Sequence, residues 1–85
     1  MVSRMLLKKS SGNITLFAFG AGEGLSEHTA PFDAFVYIVE GAATIHLDGT
    51  PHTLDAGDML ILPADVPHAV HAATDLKMLL VMLRA

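Results

Sequence analysis

Eighty-five residues make one domain with one core, taken as residues 1–85, because chains of this size bury only about 60–65% of their unfolded surface. The chain is 52% hydrophobic and only 16% charged, too apolar and too lightly charged to stay disordered. It has no cysteine, which excludes disulfide scaffolds, cysteine-bound zinc, iron–sulfur clusters and thiol catalysis. Its net charge of −4 argues against nucleic acid as a partner, since phosphate neutralisation needs clustered Lys and Arg.

The placement of charge is more informative than its sum. The basic residues are Arg4, Lys8, Lys9, Lys77 and Arg84, and every acid lies between residues 10 and 76. A site in the middle of the chain therefore lacks the guanidinium or ammonium that usually holds phosphate or carboxylate. Only histidine or a bound metal can supply positive charge there. The basic residues at 1–10 are followed by no apolar export segment, and the longest apolar run, Met78 to Leu83, is too short to span a bilayer. A cytoplasmic protein with no membrane partner is the expectation.

Turn residues recur along the chain, at Ser10 to Asn13, Gly20 to Gly24, Pro31, Gly41, Asp48 to Pro51, Ala56 to Asp58, Pro63 to Pro67 and Ala73 to Asp75. The segments between them hold four to nine residues, the spacing of an all-β barrel or sandwich. Residues 13–19 and 32–40 are β-branched and aromatic. Residues 42–48 alternate, with Ala43, Ile45 and Leu47 on one face and Thr44, His46 and Asp48 on the other. Asp48-Gly49 predicts a tight hairpin into residues 51–54. Residues 59–62, 67–73 and 76–84 bring the named segments to seven, of roughly eight or nine strands expected. Helix propensity in the Leu, Met and Lys of 76–84 leaves a helix as the alternative there.

Two segments are apolar on both faces. Ala34, Val36 and Ile38 alternate with Phe35, Tyr37 and Val39, and residues 78–83 are all Met, Leu or Val. A small barrel has one interior, so the second face needs a cover. A homodimer through sheet packing or strand exchange supplies one. The N-terminal segment around Met5, Leu6 and Leu7 is the alternative.

The chemistry rests on five histidines, His28, His46, His52, His68 and His71. Alternation sends His46 and His71 outward and leaves His52 partly buried beside Leu54. His28 and His68 each adjoin a turn region and are expected to begin a strand, where a barrel presents side chains at its mouth. Gly20-x-Gly22-x-Gly24 lacks the lysine of a phosphate loop and predicts a loop bordering that mouth. Asp58 is expected to bond local backbone in its turn.

Over about residues 20–72 the chain resembles the cupin superfamily. The family's first motif reads Gly, five residues, His-x-His, three or four residues, Glu, six residues, Gly; Gly22, His28 and Gly41 stand at those positions. The second reads Gly, five residues, Pro-x-Gly, two residues, His, three residues, Asn; Gly57, Pro63 and His68 match. Ala30 replaces the second His, Ala34 the Glu, Asp65 the Gly and Ala72 the Asn. The resemblance implies a small antiparallel cupin-type β-barrel, a jelly roll, with His28 and His68 as the surviving metal ligands, half of an ordinary first shell. Glu27, Asp33 and Asp65 lie nearby but at the wrong spacing.

Three functions follow as expectations. The first is a cupin that binds a small neutral or apolar ligand in the barrel, lined by His28, Ala34, Val36, His68 and Val70. The second is a metal-dependent dioxygenase- or isomerase-like enzyme, with His28 and His68 holding a divalent transition metal of unspecified identity. The third is a protein-interaction or structural module that uses the outer apolar face.

Overall fold

The computed structural model describes residues 1–84. Nine strands follow in chain order: β1 (Val2–Lys9), β2 (Gly12–Phe19), β3 (Gly24–His28), β4 (Asp33–Glu40), β5 (Ala42–Leu47), β6 (Thr50–Asp55), β7 (Met59–Leu62), β8 (His68–Ala72) and β9 (Leu76–Leu83). They form a five-stranded sheet in the order β1-β2-β9-β4-β7 and a four-stranded sheet in the order β3-β8-β5-β6. Every strand pair is antiparallel, and the two sheets make the all-β jelly roll. Among the described residues no helix is long and apolar enough to cross a membrane.

The core lies between the sheets. Val36 and Ile38 of β4 and Leu76 and Met78 of β9 meet Ala43 and Ile45 of β5 and Val70 and Ala72 of β8, all buried. Alternation along each strand gives this single interior. Residues 76–84, with a helix as their sequence-level alternative, form β9 instead. β9 pairs with β2 and β4 along its length, and a central strand covered on both edges overrides the helix propensity of Leu and Met.

Two expectations are corrected. Residues 2–9, read from sequence as a basic segment able to cover a face, form edge strand β1 paired to β2. β1 widens the sheet and covers neither side of it. The Gly20 to Gly24 loop does not border the end at which His28 and His68 lie. Its Gly22 N–H donates to the Ala72 carbonyl and its Ala21 N–H to Asp75, at the opposite end of β8 from His68.

The turns behave as their chemistry requires. Asp48 and Gly49 both have positive φ, 51° and 80°, the hairpin geometry that Asp-Gly favours. The Asp58 carboxylate accepts from the Asp55 N–H at 2.8 Å. Gly41 is where the chain leaves the five-stranded sheet and enters the four-stranded one. Its φ is +88°, and a Cβ there would overlap the Asp75 carbonyl. Gly41→Ala should therefore destabilise the fold by about 2–4 kcal/mol. Urea unfolding followed by circular dichroism measures this, and a loss below half a kcal/mol (roughly the scale of a neutral surface change) would contradict the role given to this corner.

Candidate functional site

His28 and His68 face each other across the β3–β8 pair, with their Nε2 atoms 3.1 Å apart. The ring centroids are 4.3 Å apart and the planes cross at 70°. His68 starts β8, as its sequence context predicts. His28 ends β3 and does not begin a strand. The register explains how it still points inward. Leu25 pairs with Val70 and His28 with His68, so β3 carries three steps where β8 carries two. The extra residue is a β-bulge at Ser26-Glu27, and it turns His28 to the face that Leu25 already occupies.

Each ring is held by the same device. The His28 Nδ1–H donates to the Ser26 carbonyl at 2.8 Å, and the His68 Nδ1–H donates to the Val66 carbonyl at 3.1 Å. Both rings thus spend their Nδ1 proton on backbone two residues earlier. In the neutral state both Nε2 atoms are then acceptors. Two acceptors at 3.1 Å repel unless a second proton or a cation joins them. His68 is 9% exposed while His28 lies open to solvent. Burial, against the opposing Val66 hydrogen bond, holds the His68 imidazole below its ordinary range, and the nearby His28 adds to the effect.

The other residues expected at the site lie deeper. Ala34, Val36 and Val70 are buried at 8%, 0% and 6% exposure as members of the core. Ala34 stands at the start of β4 opposite Leu62 and Met82, and Val70 pairs with Leu25, two residues from His68 on β8. His46 and His71 point outward. His52 pairs with Ile45 and faces inward at the sheet edge, half-buried. Asp33 lies on the outer parity of β4, where its carboxylate accepts from the Ala64 N–H. Among the described residues no three His, Asp or Glu side chains converge as a metal-binding group. The donor set fits a transition metal as two neutral imidazoles and supplies no third protein ligand.

One inward polar residue was not singled out from sequence. Asn13 of β2 pairs with Met82, which pairs with Ala34, which pairs with Leu62, so these four side chains form one inward row. The Asn13 Oδ1 is buried without a hydrogen-bond partner among the described residues. The signal was present in the alternation of 13–19. Asn13, Thr15, Phe17 and Phe19 share a face, and Phe19 is a core residue.

The lowered His68 proton affinity has a sign that can be checked. Because the folded-state value lies below the unfolded one, the unfolded chain binds more protons in the window between them. This contribution is fully present above the ordinary histidine value of about 6.5 and is lost as pH falls through the folded value. Stability should therefore drop from neutral pH towards pH about 5, and His68→Leu should flatten that slope. Denaturant midpoints at stepped pH measure it; an unchanged slope in the variant would remove His68 as the cause.

The family model described as Cupin domain matches residues 15–83. Protein SchB of Streptomyces halstedii is 37% identical over 73 residues, covering 85% of this chain and 53% of that protein. The polyketide synthase CurC of Streptomyces cyaneus is 40% identical over 60 residues, covering 69% of this chain and 39% of that protein. The chain thus spans about half or less of the length of these curated relatives. A crystal structure of a conserved protein of unknown function from Streptococcus pyogenes superposes with a TM-score of 0.94 at 33% identity, covering 99% of this chain and 74% of that one.

Proposed function

This chain belongs to the cupin family, and on that premise we propose that it binds a small neutral or apolar molecule at the histidine end of its barrel. The observation that carries this reading is the His28–His68 contact at 3.1 Å, with both Nδ1 protons already engaged. It leaves one polar handle, the Nε2 edge of the exposed ring, in otherwise aliphatic surroundings. Leu25 and Leu47, which the strand register sets near the pair, are only partly buried and pack against the core. Between residues 10 and 76 the chain has no Lys or Arg, so an anionic ligand finds no permanent counter-charge. The unpartnered Asn13 amide oxygen is a second acceptor on the opposite sheet. The similarity to a protein named as a polyketide synthase supports a ligand of largely carbon skeleton.

A metal-dependent activity is the second reading, favoured by the convergence of two neutral Nε2 lone pairs. His28 and His68 would hold the metal, and a bound metal would supply Lewis-acid or oxygen chemistry. The protein's own part is limited: the Ser26 and Val66 carbonyls fix the tautomer of each ring, and the remaining donors must come from water or substrate.

The two readings separate on protein purified without a histidine tag. For the first, 1-naphthol serves as a neutral apolar probe. It should shift the amide resonances of residues 25–28 and 68–70, and His28→Ala should weaken its binding about tenfold, equivalent to roughly 1.4 kcal/mol. Probe binding unaffected by His28→Ala and His68→Ala would sink that reading. For the second, stoichiometric metal in elemental analysis, lost in the double variant, is the expected result.

A further inference from the structure

Basic side chains from the two ends of the sequence are gathered by the fold. Lys8 and Lys9 close β1, Ser10 and Ser11 turn the chain into β2, and Arg84 follows the last residue of β9. Gly12 of β2 pairs with Leu83 of β9, and the ladder runs on for one more bond, from the Arg84 N–H to the Ser11 carbonyl at 2.8 Å. That bond sets Arg84 beside the β1–β2 turn. Lys8, Lys9, Ser10 and Arg84 line one open hollow of about 550 Å³, inside the roughly 300–1,000 Å³ range of small-molecule sites.

Arg84 is held in place there. Its guanidinium carbon lies 4.5 Å from the centroid of the Phe32 ring, a cation–π stack that engages one face of the planar group. Among the described residues Lys77 pairs with Glu40 at 3.6 Å, but no carboxylate pairs with Lys8, Lys9 or Arg84. Asp33 is the acid in the same row of the sheet as Lys9. It lies three strands away, about 14 Å, and its carboxylate accepts from the Ala64 N–H. The chain has nine acids and five basic side chains. Leaving three of those five unpaired around one hollow is not the arrangement that local charge balance favours.

We propose that this hollow is an anion site, separate from the histidine pair, and that it takes a phosphate monoester. At neutral pH such a group is close to a dianion, a better match than a carboxylate for three positive charges. Arg84 offers the two-point fork that suits an oxyanion with equivalent oxygens. Lys8 and Lys9 add point charges, and Ser10 adds a hydroxyl donor. The stack on Phe32 has already restricted the guanidinium, so less freedom is lost on binding. Phe32 is only partly buried and gives the organic part of an ester an apolar surface to rest on. The stretch between residues 10 and 76 still holds no Lys or Arg. The anion site draws its charge wholly from outside that stretch and makes no demand on the histidines.

Inorganic phosphate and phenyl phosphate are the probes, each titrated into the isotope-labelled full chain at neutral pH and low ionic strength. Saturable amide shifts should appear at residues 8–11 and 84, with a Kd of about 1 mM for inorganic phosphate. Arg84→Gln should weaken binding about tenfold, and Lys8→Gln combined with Lys9→Gln should do the same. Arg84→Lys keeps the charge but loses the fork and the stack, and should still bind about threefold more weakly than wild type. His28→Ala should leave phosphate binding unchanged. Lys8, Lys9 and Arg84 are exposed, so circular dichroism of these variants should stay native. Equal shifts from sodium chloride at matched ionic strength, or an affinity indifferent to Arg84→Gln, would overturn the site. Phenyl phosphate should bind more tightly than inorganic phosphate; the reverse order would overturn the assignment to an ester.

Discussion

One inserted residue in β3 sets the position of the site. Between Leu25 and His28 the strand runs one residue longer than its partner β8. Without that bulge, alternation would put residue 27 inward and His28 in solvent. With it, His28 faces His68, and the freed Ser26 carbonyl accepts the ring's Nδ1–H. The same local displacement aims the ring and fixes its tautomer. Bulges commonly re-aim a side chain next to a site in this way. The partner ring is held by the same rule, through the Val66 carbonyl two residues before it. The pair is therefore preorganised by backbone, and among the described residues both Nδ1 partners are main-chain carbonyls.

Much of the fold was legible because alternation and turn chemistry agree. Residues 34–38 and 43–47 alternate around one core, and Asp48-Gly49 makes the hairpin it advertises. Motif spacing, together with the family resemblance, singled out His28 and His68 as the histidines that meet. What stayed hidden is what breaks period two. The β3 bulge leaves no mark in the residue types Ser26 and Glu27, so the end of β3 was misread as the start of a strand. β1 was missed for a related reason. Its register slips between Met5 and Leu7, and an edge strand exposed along its length has no buried side to impose a pattern. Asn13 was overlooked because a polar residue beside a turn looks like part of the turn.

At the family positions the candidate site carries fewer donors than the resemblance implies. Ala34 and Ala30 stand where the resemblance places carboxylate and imidazole donors. Ala34 is buried among Val36, Leu62 and Met82 in the packed sheet. A methyl there removes both a ligand and a negative charge from the interior. Burial acts on the His68 ring itself and lowers its affinity for a proton. The result is a candidate site with one buried ring and one exposed ring.

This asymmetry also bears on why the two sheets differ. The four-stranded sheet supplies both histidines, and its outer side carries Thr44, His46, His71 and Thr53, residues that water can solvate. The five-stranded sheet turns aliphatic side chains to the core, and its outer side is aliphatic too. A single 85-residue core cannot bury both sides of that sheet. Strand β9 shows the conflict most directly: Leu76 and Met78 are buried inside, while Leu79 and Val81 on the opposite side remain only half-covered.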